Sequence, residues 1–150
     1  MTVDHDALRA GLEAAIPFNT HLGLRTVEVG EGIGVVVLPD AAHLHNHVGS
    51  QHAGALFSAA EAASGAAFVG AFAERLGDIV PLARSAEIDY RKLARGEITA
   101  TGRLAEPAAD LLATLDAEGV VRFAVQVELV DGDRATVAAV TVHWHVRAKE

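Results

Sequence analysis

Apolar residues recur along this chain at two different periods. Leu8, Leu12 and Ile16 repeat every fourth residue, which predicts an amphipathic helix from Asp4 to Ile16, with Asp4 or Asp6 as its cap. Pro17 ends that helix, because proline cannot continue the hydrogen-bond ladder. From His21 to Leu38 the period shortens. LGLRTVEV and IGVVVLP, separated by Gly30 and Gly32, predict a strand pair. Asp40 to Gln51 is polar and reads as a loop. A long helix follows, from Ala53 to Leu76, with Gly77 and Pro81 marking its exit. Leu82–Lys92 and Gly96–Leu104 read as strands, and Glu106–Gly119 as a short helix or structured loop. Val120–Val130 and Arg134–Val146 form two β-rich runs joined by Asp131-Gly132-Asp133, a hairpin signal.

A long helix with almost no polar positions needs cover on most of its surface. A curved antiparallel sheet supplies it. The expected architecture is α+β: a long central helix wrapped by a curved antiparallel β-sheet, with an N-terminal helix, in a single domain spanning residues 1–150.

Composition narrows the function classes. There are no cysteines, so disulfides and thiolate chemistry are excluded. The net charge of −8 argues against nucleic acid as a partner. The start, MTVDHDALRAGLEAAIPF, has early acids and no apolar signal core, so a cytoplasmic location is expected. The run Ala53–Ala73 is long enough to test as a membrane span. It is Ala/Gly-rich, and Glu61 sits near its middle, where a charge is costly, so a buried core helix is the better reading and no membrane partner is expected.

Glu61 is the one residue from Ala53 to Ala73 that can carry a charge. An ionised carboxylate in apolar surroundings costs several kcal/mol unless it is paired or changes its pKa. Its neighbours upstream are suggestive. Asn46-x-x-Gly49-x-x-His52-Ala53-Gly54, with Glu61 further along the helix, resembles the signature of hotdog-fold thioesterases, N-x-x-G-x-x-H-G-G followed by an acid. Within that superfamily the chain is most similar to the PaaI-like acyl-CoA thioesterases. SAEIDYRKLARGEITATGRL resembles the family's strand, basic bend and strand, and VQVELVDGDRATVAAVTVHWHVR resembles its closing hairpin. One departure stands out: Ala53 replaces the first glycine of His-Gly-Gly. Its backbone N–H survives, while its methyl group bears on substrate shape.

The resemblance implies a hydrolase, with no cofactor and no metal. The Ala53 N–H would hold the thioester oxygen, at a helix N-terminus where free N–H groups and the dipole point outward. Glu61 would serve as general base for water or as nucleophile, and Asn46 would orient the water or the carboxylate. His52 would brace the turn, and Gly54 beside it would help bind the substrate. Glu61 lies eight residues beyond Ala53 on much the same side of the helix, about 12 Å along its axis. That is too far for both to reach one carbonyl within a single chain. Family sites lie between two protomers, so a homodimer or homotetramer is expected. Arg84, Arg91, Lys92 and Arg95 suit the phosphates of coenzyme A, and Ser85 and Ser64 are polar groups near the site.

Plainer readings stand beside these. Glu61 also fits a structural acid paired with an arginine or histidine. Asn46 and His52 fit turn and capping residues. The basic cluster fits a solvated face. Three rival functions remain. One is a hotdog module that binds acyl-CoA without hydrolysing it. Another is a hotdog dehydratase, whose Gly-His-Phe-Pro type signature is absent. The third is a metal site built from His43-x-His45-x-His47 and His143-x-His145, without the glutamate a cupin places after its His-x-His.

Overall fold

The computed structural model describes residues 2–150. Helix α1 spans His5–Ala15, and the Asp4 side chain caps it by accepting from the Ala7 N–H at 3.0 Å. Pro17 does more than stop α1. It occupies the first turn of a second helix, α2, Pro17–Leu22, where its missing N–H costs nothing. Gly23, at φ 74°, closes α2 in the left-handed conformation. The strand expected from His21 therefore begins later, at β1, Arg25–Gly30, which turns through Gly32 (φ 79°) into β2, Ile33–Leu38.

After a 3-10 turn at Ala42–Leu44, the long helix α3 runs from Ala53 to Ala71. It is shorter than the sequence predicts. Past Phe72 the chain tightens into a 3-10 helix, Ala73–Asp78, which turns it toward β3, Ile79–Tyr90. Pro81, expected as an exit marker, lies inside β3. An edge strand tolerates it, because the missing N–H is not needed for pairing on the open side. Then follow β4, Ile98–Leu104; α4, Ala108–Glu118; β5, Val120–Val130; and β6, Thr136–Ala148. The six strands form one antiparallel sheet in the order β1-β2-β4-β5-β6-β3.

The sheet wraps α3, and the approach is close. Gly34 of β2 and Gly102 of β4 are register partners. A Cβ at Gly34 would lie 2.5 Å from the Ala63 carbonyl oxygen and the Ala67 nitrogen, and one at Gly102 would lie 2.9 Å from the same carbonyl. This glycine pair makes the hollow into which the alanine face of α3 drops, which explains why that face carries no larger side chains. Ala59, Ala60, Ala63, Ala66 and Ala67 are fully buried there. Toward the end of α3, Phe68 stacks on Trp144 with ring centroids 5.4 Å apart, and Phe72 stacks on Phe123 at 5.4 Å. α3 is long and apolar enough to cross a membrane, at mean hydropathy 1.2, yet 61% of that window is buried inside the fold.

Cover runs out at one edge. In β3, Pro81, Ala83, Ala86, Ile88 and Tyr90 pair with Val146, Trp144, Val142, Val140 and Ala138, the inward-facing residues of β6. They share that inner face, but α3 leans on β1, β2, β4, β5 and β6 and leaves β3 open. Most of the strand is exposed.

Candidate active site

The loop that leads into α3 is built around Asn46. Its Oδ1 accepts from the Val48 and Ser50 N–H groups at 3.0 and 3.1 Å, and its Nδ2 donates to Ser50 Oγ at 2.8 Å. Its own N–H donates to the Ser50 carbonyl at 2.8 Å. Gly49, at φ 77°, supplies the left-handed turn this small ring requires. Gln51 ties the loop to the sheet end, with Nε2 donating to the carbonyls of Pro39 and Gly96 at 2.9 Å each. The His52 N–H donates to the Leu44 carbonyl at 2.9 Å. The start of α3 is therefore held in a fixed direction.

A helix begins with N–H groups that have no partner within it. His52 is the N-cap of α3. Its Nδ1 accepts from the Gly54 N–H at 2.8 Å, which assigns the ring proton to Nε2. Its carbonyl accepts from the N–H groups of Ala55 and Leu56 at 3.0 and 3.1 Å. The Ala53 N–H is left, exposed and without an acceptor among the described residues. A contact with no signal in the sequence holds the other side of that residue. The Tyr90 hydroxyl donates to the Ala53 carbonyl at 3.0 Å.

Glu61 lies on the less buried stripe of α3, which runs through Gly54, Phe57, Ser58, Glu61, Gly65 and Val69. Its carboxylate is half-buried, with no hydrogen bond or ion pair among the described residues. Burial raises its pKa above the ordinary carboxylate range. Ser64 is fully buried and does not address that carboxylate. It donates to the Glu61 backbone carbonyl at 2.7 Å and accepts from Trp144 Nε1 at 3.3 Å, which anchors this turn of the helix to β6.

The four basic residues do not form one patch. Lys92 and Arg95 share a surface cleft of about 560 Å³ with Glu97, Asp131 and Asp133, and Lys92 pairs with Asp131 at 3.3 Å. Arg91 pairs with Asp89 at 3.2 Å and lines a separate cleft with Arg103. Arg84 is the extra residue of a bulge between Ala83 and Ser85. That bulge flips the alternation and turns Ser85 outward, beside His143, on the face opposite α3. The histidines are scattered. His45 pairs with Asp40 at 2.7 Å, His143 with Glu87 at 3.2 Å, and His145 accepts from Arg122 at 3.3 Å. Among the described residues no group of three or more histidines and acids is placed to hold a metal.

This wrapped central helix defines the hotdog fold of the PaaI-like thioesterases. A Pseudomonas aeruginosa protein, PA5026, described as of unknown function and a probable thioesterase, matches with a TM-score of 0.86 at 28% identity, over 99% of each chain. PaaI of Escherichia coli, from the phenylacetic acid degradation operon, matches with a TM-score of 0.73 at 21% identity, over 93% of this chain and 91% of its own. Thioesterase HI1161 of Haemophilus influenzae matches at 0.75 and 14% identity, over 99% of this chain and 93% of its own. At their identities the last two speak for the fold alone. No curated protein matches the sequence. Residues 5–146 match the family described as domain of unknown function DUF4442, and the chain belongs to that family.

Proposed function

We propose that this chain is an acyl-CoA thioesterase whose sites form between two copies of itself. One observation carries the reading. A single helix presents an unpaired carboxylate, Glu61, and an unclaimed N–H, Ala53, on its open side. These are the two groups that thioester hydrolysis needs, and nothing else among the described residues uses them.

The two groups lie about 12 Å apart along the axis, so one chain cannot bring both to one carbonyl. The open edge supports a second copy. β3 offers unpaired backbone groups and an uncovered apolar strip, which a soluble fold normally covers. Antiparallel pairing of β3 with its own copy around a two-fold axis would extend the sheet. It would also bring each α3 stripe against the partner's, so that the Glu61 of one protomer faces the Ala53 N–H of the other. A homotetramer would pair two such dimers.

In this site the Ala53 N–H donates to the thioester oxygen as negative charge develops there, worth about 3–4 kcal/mol for one preorganised donor. Glu61, its pKa raised by burial, takes a proton from water as the water oxygen bonds to the carbonyl carbon. Collapse of the tetrahedral intermediate breaks the C–S bond, and the proton leaves with the thiol. Asn46 keeps one Nδ2 proton beyond the bond to Ser50, available to orient the water. Arg84 and Arg95 have no acid partner among the described residues and are the cations we assign to the coenzyme's phosphates.

Free-thiol release from a panel of short, long and aryl acyl-CoA thioesters tests the proposal. Turnover of some member is expected, and Glu61→Gln, with oligomeric state and fold unchanged, should lower it at least about 100-fold. No release by the folded wild type would contradict the enzyme reading. Binding of acyl-CoA without release would then point to the non-catalytic module.

A further inference from the structure

The edge strand and the head of α3 meet at one bond. Tyr90 is the last residue of β3 and faces inward, opposite Ala138 of β6. The strand is fastened just beyond it, where the N–H groups of Arg91 and Lys92 both donate to the Val137 carbonyl, at 2.9 and 3.4 Å. From that anchored position the hydroxyl donates to the Ala53 carbonyl at 3.0 Å. Tyr90 is 47% exposed. Burial therefore does not force the bond, since water could satisfy the hydroxyl equally well.

Ala53 is consequently fixed on both sides. Its own carbonyl is held by Tyr90 and the next N–H, that of Gly54, by His52 Nδ1. The preceding carbonyl, that of His52, is held by the N–H groups of Ala55 and Leu56. The backbone groups flanking the Ala53 N–H are thus committed, while that N–H has no acceptor among the described residues. A preorganised donor gains its catalytic value from not having to reorient as charge develops.

We propose that Tyr90 is a positioning residue, holding the Ala53 N–H in the direction the oxyanion requires. This rests on the thioesterase reading above. Tyr90 acts through the backbone of Ala53 rather than on the substrate, so it should affect the chemical step and leave binding unchanged. It also joins the strand at which two copies would pair to the helix end where the reaction would occur.

The test is Tyr90→Phe, which keeps the ring and removes only the hydroxyl. Steady-state thiol release should show kcat lowered about 3- to 10-fold with KM within about twofold. The thermal midpoint and the pH at which activity rises should not change, because Glu61 is untouched. The backbone order parameter of the Ala53 amide, measured by relaxation in both proteins without substrate, should be lower in the variant. Equal kcat in an active wild type, or a change confined to KM, would overturn the positioning role. An unchanged Ala53 amide would do the same. A folded wild type that releases no thiol would sink the thioesterase reading instead, and the amide comparison would still decide whether Tyr90 holds Ala53.

Discussion

The two sides of α3 obey different rules. On the sealed side every position is dictated by fit: Ala63 and Ala67 sit over the Gly34–Gly102 pair with no room for one further carbon. On the open side a Cβ added at Gly65 would meet only Trp144, at 4.0 Å, and Glu61 has no partner, among the described residues. The alanine content of the helix is thus a packing property. The single acid is not, because a carboxylate that pairs with nothing and is partly stripped of water does not help the fold. A helix can be built for the core along one stripe and for chemistry along the next.

The largest way to break this contrast is Gly34→Val. Its side chain would meet helix backbone, which cannot move aside as a side chain can, so the loss should exceed the usual overpacking cost of about 1–3 kcal/mol. Thermal unfolding should show a collapse of the midpoint, while Gly65→Ala on the open side is tolerated. Equal effects at the two glycines would show that the faces do not differ.

A smaller effect is expected at the cap. His52→Ala removes the acceptor for the Gly54 N–H and should cost about 1 kcal/mol, with His52→Asn recovering most of it. Denaturant titration measures both. If both variants match the wild type, the His52 ring is not capping α3.

The gentlest effect is a slope. Burial raises the Glu61 pKa, so the folded chain binds this proton more tightly than the unfolded one. Its contribution to stability is fully present below the ordinary glutamate pKa and is lost as pH rises through the raised folded value. The difference in stability between wild type and Glu61→Gln should therefore move against the wild type over that window. A difference moving the other way would mean that the carboxylate finds a cation in solution.

Much of this was readable before the fold was known, because the signals were local. The cap at Asp4, the break at Pro17, the Asp131–Asp133 turn and the lone charge at Glu61 each lie within a few residues of what they explain. What escaped depended on partners far away in sequence. Pro17 reads as a stop until Gly23 is seen to close a second helix behind it. Ala73 and Leu76 keep the apolar pattern of α3 although the backbone has already tightened. The face of Ser85 follows strand alternation until a bulge at Arg84 reverses it. Tyr90 meets Ala53 across 37 residues, and only strand register reveals that.

The central claim is that Ala53 and Glu61 act together across two chains. Two variants separate them. Ala53→Pro removes the N–H at a first-turn position where proline fits, following an extended His52 at ψ 141°, and Glu61→Gln removes the base. Each variant alone should lose about 100-fold or more in turnover. Unfolded together and refolded as a mixture, they should recover about a quarter of wild-type sites, because half of the dimers are mixed and each mixed dimer has one intact site. Recovery at that level is the predicted result. No recovery, with mixed dimers demonstrated, would contradict a site shared between copies.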